Sequence, residues 1–183
     1  MKSVVSSDDL LFASLKMPAP NRVLMRSEIE RVDDQHWVWD PFRATSMLPI
    51  MTYDGGTDHA AINRLPFAVV SSERNFAWTP FAPQSIRAYL ERYVFSWMGM
   101  RSRVMLLRTP PGVSNSEHID CERELMGTRQ HKFRMVIQGR TDTLYFITKT
   151  GPLYLPQTER PFLIDGSWPH GMTNSTVKPK VTL

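Results

Sequence analysis

His118-Ile119-Asp120 and the distant His170, set in Asp165-Gly166-Ser167-Trp168-Pro169-His170-Gly171, are the residues of this chain best suited to chemistry. Two imidazoles and one carboxylate can occupy one face of a divalent metal and leave the other face open, an arrangement that suits Fe(II). The open positions are where a reaction would take place. A His-x-Asp triplet is common on its own, so its surroundings decide what it means.

The surroundings read as β structure. Val104-Met105-Leu106-Leu107 is a short apolar, strand-like run, and Thr109-Pro110-Pro111-Gly112 is a turn that stops it, which sets the triplet just beyond a turn. Downstream, Phe133 to Ile137, Thr143 to Thr148 and Pro152 to Leu155 read as short strands separated by Gln138-Gly139 and Lys149-Thr150-Gly151. Phe162-Leu163-Ile164 then leads into His170. Strands this close together imply an antiparallel barrel or sandwich. No stretch between residues 104 and 170 has helical periodicity of useful length, which argues against a parallel sheet with crossover helices.

From about residue 103 to residue 183 the sequence resembles the 2-oxoglutarate and Fe(II)-dependent oxygenases, whose core is a double-stranded β-helix of jelly-roll or cupin-like type. Within that superfamily the pattern is most similar to the aspartyl/asparaginyl β-hydroxylase branch. The residues that carry the likeness are Pro111-Gly112 before the first ligand, Arg129-Gln130-His131 after it, and Gly166-Ser167-Trp168-Pro169-His170. Better-known members of that branch lack the metal-binding carboxylate that Asp120 supplies, and in this the chain is similar to prolyl-hydroxylase-like members. The resemblance implies a mainly β protein in which His118, Asp120 and His170 are the catalytic ligands of Fe(II) and 2-oxoglutarate is the cosubstrate. It implies hydroxylation of an unactivated C–H bond, with the cosubstrate decarboxylated to succinate. Hydroxylation is favoured over halogenation because Asp120 fills the coordination position that a halide would need.

The family places a basic residue about ten positions after the distal His, where it pairs with the far carboxylate of 2-oxoglutarate. Lys180 stands there. Lys178 would share a strand face with it and competes for the role. A lysine is one compact charge, so a hydroxyl partner is expected, with Thr148, Tyr145 and Tyr154 as candidates. By the same resemblance His131 and Arg129 could hold the cosubstrate. Arg129-Gln130-His131-Lys132 also reads as a solvated basic loop, and Arg134 could face the site instead. Asp120 is expected to line an open, polar cavity. Asn174 is expected to support the ligand loop as a turn residue, and His36 and His59 to be surface or structural.

The N-terminal half, residues 1–102, is expected to supply supporting helices and substrate-facing loops, and residues 103–183 the metal-binding β core, together one oxygenase domain. Ser7-Asp8-Asp9-Leu10 reads as a capped helix start with Pro18 ending that segment. His36 to Trp39 and Met47 to Tyr53 read as strands, with Pro41, Pro49, Pro66, Pro80 and Pro83 breaking the region into short pieces. Ile86, Tyr89, Leu90, Tyr93, Val94 and Trp97 recur at helical spacing and Gly99 closes the pattern, giving a helix that buttresses one sheet.

A chain of 183 residues with 42% hydrophobic content is one domain's worth. No stretch approaches the roughly 20 apolar residues of a membrane span, and the first residues lack a signal peptide's apolar centre, so a cytoplasmic protein is expected. The single Cys121 excludes an internal disulfide framework. A formal net charge of +4 is diffuse. With Trp37, Trp39 and Trp78 it makes a nucleic-acid substrate conceivable, but Trp-rich strands usually pack a core, and a small-molecule, amino-acid or peptide substrate is favoured. A zinc hydrolase on the same ligands and a non-catalytic jelly-roll binding module are the alternatives.

Overall fold

The computed structural model describes residues 11–53, 55–57, 76–98, 103–120 and 131–183. In chain order the strands are β1 (Phe12–Ser14), β2 (Val38–Asp40), β3 (Thr45–Tyr53), β4 (Phe76–Trp78), β5 (Val104–Thr109), β6 (Ser114–His118), β7 (His131–Arg134), β8 (Val136–Gln138), β9 (Leu144–Thr148), β10 (Gly151–Tyr154), β11 (Phe162–Asp165), β12 (His170–Thr173) and β13 (Lys180–Thr182). Helix α1 spans Arg22–Ile29 and α2 spans Gln84–Tyr89. The chain is mainly β with few helices.

Every strand pair among the described residues is antiparallel. A smaller sheet has the order β10-β9-β12-β6, and a larger one the order β2-β3-β5-β13-β8, with β4 beside β3. A third set, β1-β11-β7, continues the larger sheet because β7 and β8 are one bent run. Phe133 to Ile137, expected as a single strand, is divided at Met135. That residue exchanges backbone hydrogen bonds with Leu183, donating at 3.2 Å and accepting at 2.8 Å, while β7 turns away to pair with β11.

Two apolar layers follow from this arrangement. Leu11, Val136, Leu144, Phe146, Phe162 and Ile164 belong to one core cluster. The second cluster joins Leu48, Ile50 and Leu106 of the larger sheet to Met25, Ile29, Ile86 and Leu90 of the helices. The sequence of β3 is apolar at successive positions and is buried on both faces, as a strand covered on both sides requires. Pro49, expected to break this region, lies inside the strand. The β3–β5 register shifts between Pro49 and Met51, and a bulge tolerates the missing N–H.

Two expectations for the N-terminal half are corrected. The stretch leading to Pro18 forms strand β1 from Phe12, where a helix was expected; Phe12 pairs with Ile164 and stacks on Phe146 at 6.2 Å, so an open edge of β11 outweighs the local helix signal. The proposed helix start before it lies outside the described residues. The apolar stripe does form a helix: Ile86, Tyr89, Leu90 and Val94 are buried, but Trp97 is 56% exposed. Residues Leu90–Phe95 are π-helical, and this wider turn carries Trp97 off the buried face. The closing Gly99 lies outside the described residues. Among the described residues no helix is long and apolar enough to cross a membrane.

Candidate metal centre

His118 is the last residue of β6 and His170 the first of β12, and the two are direct cross-strand partners with ring centroids 4.6 Å apart. A register shift between His170 and Met172 lets β6 bury Asn115 and still turn His118 toward His170. Asp120 follows β6 by two residues. Its N–H donates to Gly166 O at 2.9 Å, which pins it against the β11–β12 turn. A Cβ on Gly166 would lie 3.1 Å from Asp120 Oδ2 and 3.3 Å from Asp120 Cβ, so glycine allows the carboxylate to settle there. The turn is braced by buried Asp165, whose Oδ1 accepts from Ser167 N at 3.0 Å and Ser167 Oγ at 2.5 Å.

One ligand atom from each of His118, Asp120 and His170 lies within 4.8 Å of the others. His118 Nε2 is 3.7 Å from Asp120 Oδ1, and His170 Nε2 is 3.3 Å from Asp120 Oδ2. Each Nδ1 meets a backbone carbonyl, Ser116 O at 2.9 Å and Trp168 O at 2.8 Å. A carbonyl only accepts, so Nδ1 carries the hydrogen and Nε2 is left as the ligand atom. The donor set and its orientation therefore fit Fe(II), with two ring nitrogens and one carboxylate converging from one side.

Lys132 of β7 enters the same site, with Nζ 2.7 Å from Asp120 Oδ2. Burial by itself would raise the Asp120 pKa; contacts from His118 and His170 and the charge of Lys132 outweigh it and hold the carboxyl well below the usual range. The Lys132 ammonium is pulled down to about 8, chiefly by burial. His118 is raised, first by its contact with Asp120 and against the effect of burial. Asp120 is more enclosed than expected, with its side chain only 5% exposed.

Lys180 is buried in the larger sheet beside Thr109 of β5. Its Nζ donates to Thr143 Oγ1. Burial brings its pKa down to about 7. Thr45 Oγ1 lies 3.1 Å from Thr109 Oγ1 and 3.2 Å from Asn115 Oδ1, so polar groups link the two sheets next to Lys180. Gly139, at φ +96°, passes over the lysine stem, where a Cβ would meet Lys180 Cγ at 3.1 Å. Lys178 precedes the strand and is exposed, which ends its competition for an inward face.

The expected hydroxyl partners are elsewhere. Tyr145 pairs with Gly171 and Tyr154, on the sheet face opposite Phe146 and His170, and Thr148 Oγ1 donates to Gly151 O at 2.7 Å in its own turn. Thr143 carries no motif signal in the sequence, and Lys132 reads there only as part of a basic loop. His131 opens β7 opposite Asp165, while Arg129, His59 and Cys121 lie outside the described residues. His36 stacks on Phe81 with centroids 3.9 Å apart, away from the triad, as a structural histidine. Asn174 is fully buried, and its two amide N–H donors are shared among Thr109 O, Pro110 O and Lys178 O, 3.1, 3.0 and 2.9 Å from Nδ2, bolting the β12–β13 turn to the turn before β6.

No protein-family model matches the sequence, and no curated protein matches it. Solved structures do. An oxidoreductase of the 2OG-Fe(II) oxygenase family from Burkholderia pseudomallei superposes with a TM-score of 0.56 at 11% identity, covering 96% of this chain and 82% of that one. A Pseudomonas putida prolyl-4-hydroxylase gives 0.52 at 13% identity, covering 96% and 92%. The chain shares the fold of these oxygenases over nearly its whole length.

Proposed function

We propose that this protein is a non-haem Fe(II) and 2-oxoglutarate-dependent dioxygenase that hydroxylates an unactivated C–H bond, with an amino-acid or peptide side chain as the favoured substrate. The observation that carries the reading is the convergence of His118, Asp120 and His170 ligand atoms within 4.8 Å, in a fold shared with 2OG-Fe(II) oxygenases. The strand orders β10-β9-β12-β6 and β5-β13-β8, the latter continued by β7-β11, support a double-stranded β-helix core within a single domain. Asp120 and Lys180 together favour the prolyl-hydroxylase-like pattern over the aspartyl/asparaginyl branch.

His118, Asp120 and His170 would hold the iron. Iron with 2-oxoglutarate and oxygen supplies the oxidising power for the C–H bond, at the expense of the cosubstrate's conversion to succinate and carbon dioxide. Backbone carbonyls of Ser116 and Trp168 fix both rings in the tautomer that presents Nε2. Lys180, with Thr143 beside its ammonium, receives the distal carboxylate; an incoming anion restores the charged form that burial disfavours. His131 and Arg129 are the further cosubstrate contacts in this reading.

Anaerobic titration with Fe(II) and 2-oxoglutarate tests the metal and the cosubstrate together. A visible metal-to-ligand absorption band that requires both is expected, and it should vanish in Asp120→Ala. Turnover with Zn(II), without oxygen or keto acid, would instead make the chain a hydrolase.

A further inference from the structure

The oxygenase reading leaves positive charge unaccounted for. Lys132 and Arg134 alternate on β7, and their cross-strand partners Ile164 and Phe162 are buried in the same core cluster as Phe146, which packs against His170. Both cations therefore project between the sheets on the side of the triad. Arg134 has no ion-pair partner among the described residues. Arg43 comes from the β2–β3 turn, where Ala44 at φ 46° redirects the chain. Its carbonyl accepts from Thr45 Oγ1, the hydroxyl that reaches Asn115 and Thr109. Its guanidinium pairs with Asp40 at 3.0 Å and keeps 38% of its side chain exposed.

These groups feel one another. Arg43 and Arg103 act on Arg134, Arg43 acts on His118, and Arg134 acts on both Lys132 and Lys180. Among the described residues the anions that act on these cations are Asp120, Asp40 on Arg43, and Asp142 toward Lys180, and buried Asp165 stands at the neighbouring β11–β12 turn. An iron would add two more positive charges. A dianionic cosubstrate would offset the metal and Lys180, and with Lys132 paired to Asp120 and Arg43 to Asp40, Arg134 is left without an anion of its own among the described residues. Such a concentration of one sign, partly removed from water, draws anions in and holds them.

We propose that the substrate carries an anionic group of its own, a carboxylate or a phosphate, received between Arg43 and Arg134 beside the triad. Guanidinium forks bind either oxyanion through paired N–H donors. The inference rests on the oxygenase reading and narrows its substrate class to acids. A nucleic acid is not favoured as the source of the phosphate. Trp37 is buried beneath Arg108, whose guanidinium lies 4.3 Å from the ring centroid, and Arg87 lies over the Trp78 ring at 5.4 Å, so of Trp37, Trp39 and Trp78 only Trp39, 50% exposed, is open to a base, and one ring is not a stacking platform.

The test uses the whole chain loaded with Mn(II) and an unreactive 2-oxoglutarate analogue, so that the cosubstrate's seat is filled. Sulfate and acetate are then titrated separately at constant ionic strength and followed by thermal melt, sulfate standing for a phosphate group and acetate for a carboxylate. Saturable stabilisation by at least one of them is expected, weakened about tenfold or more in Arg43→Gln and in Arg134→Gln. Arg43 lies in a half-exposed turn, so its variant reports even where Arg134→Gln fails to fold. Equal responses in wild type and Arg43→Gln would overturn the proposal. So would anion binding that disappears once the analogue is bound, since these cations would then belong to the cosubstrate while the oxygenase reading stood. Failure of the Mn(II) titration itself would remove both.

Discussion

Lys132 and Asp120 form an ion pair at the point where a metal would also claim the carboxylate. A divalent cation near Asp120 is repelled by an ammonium only 2.7 Å from Oδ2, and Asp120 stays placed by its backbone bond to Gly166. Lys132→Met is therefore expected to bind Mn(II) about tenfold tighter or more, while the metal-free protein loses about 1 to 2 kcal/mol because a mostly buried carboxylate has lost its partner. A Mn(II) titration and a melt of the apo-protein read the two effects separately. Weaker metal binding in the variant would make Lys132 an orienting group for Asp120 instead of a competitor. Lys180 should behave differently: Lys180→Met leaves Mn(II) affinity near wild type and raises the 2-oxoglutarate requirement about tenfold to a hundredfold, the worth of one charge-assisted contact. That His118, Asp120 and His170 would converge was legible because metal chemistry restricts the types of candidate ligands and because the turn signals on either side are local. Thr143 and Lys132 were not legible as partners, since each meets its partner across a fold that sequence spacing does not encode.

The elements of the C-terminal half could be read because alternation and turn residues are themselves local. Leu144 to Thr148 is buried at alternate positions in its first half, and Gly139 and Gly151 both have positive φ at the turns that the sequence marked. What could not be read is where a strand changes sheets. The break at Met135 is written in no turn residue; it follows from Leu183, far along the chain, taking the backbone groups of Met135. The N-terminal half was harder for a related reason, since β1 is a strand only because β11 offers it an edge. A Pro20-Asn21 signal before α1 could have been used, since Asn21 Oδ1 accepts from Leu24 N at 3.1 Å. At this scale Asn174 is the most consequential residue outside the triad. Asn174→Ala removes a buried amide whose two N–H donors are shared among three carbonyls, one of them fully screened from water, and about 3 kcal/mol of destabilisation is expected by urea unfolding. Because that turn connects β12 to β13, the variant should also weaken 2-oxoglutarate binding without changing any cosubstrate contact directly.

For the whole molecule, the buried cation of β13 links stability to pH. The Lys180 ammonium titrates at about 7 in the fold against its ordinary 10.5, so between those values the unfolded chain binds the extra proton. Stability should therefore rise with pH across that window, and the rise attributable to this group ends at the unfolded value. The difference between wild type and Lys180→Met, measured by denaturant unfolding of the apo-protein from pH 6.5 to 10, isolates the contribution. An identical slope in the two proteins would mean that Lys180 is fully charged in the fold. Bound 2-oxoglutarate should flatten the dependence by restoring the ammonium.

The position of β13 also bears on when the protein can become itself. It lies between β5 and β8 in the larger sheet, yet it is translated after both, and its partner Thr109 is made long before Lys180. As the chain leaves the ribosome, β5 and β8 must wait with unpaired edges while the smaller sheet, whose strands β6, β9, β10 and β12 all come earlier, can already assemble. The proposed metal ligands can thus meet before the sheet behind them has closed. During synthesis, a nascent chain halted before residue 180 would depend on chaperones to cover those edges, and a metal supplied at that stage would meet the three proposed ligands without the lysine proposed to seat the cosubstrate.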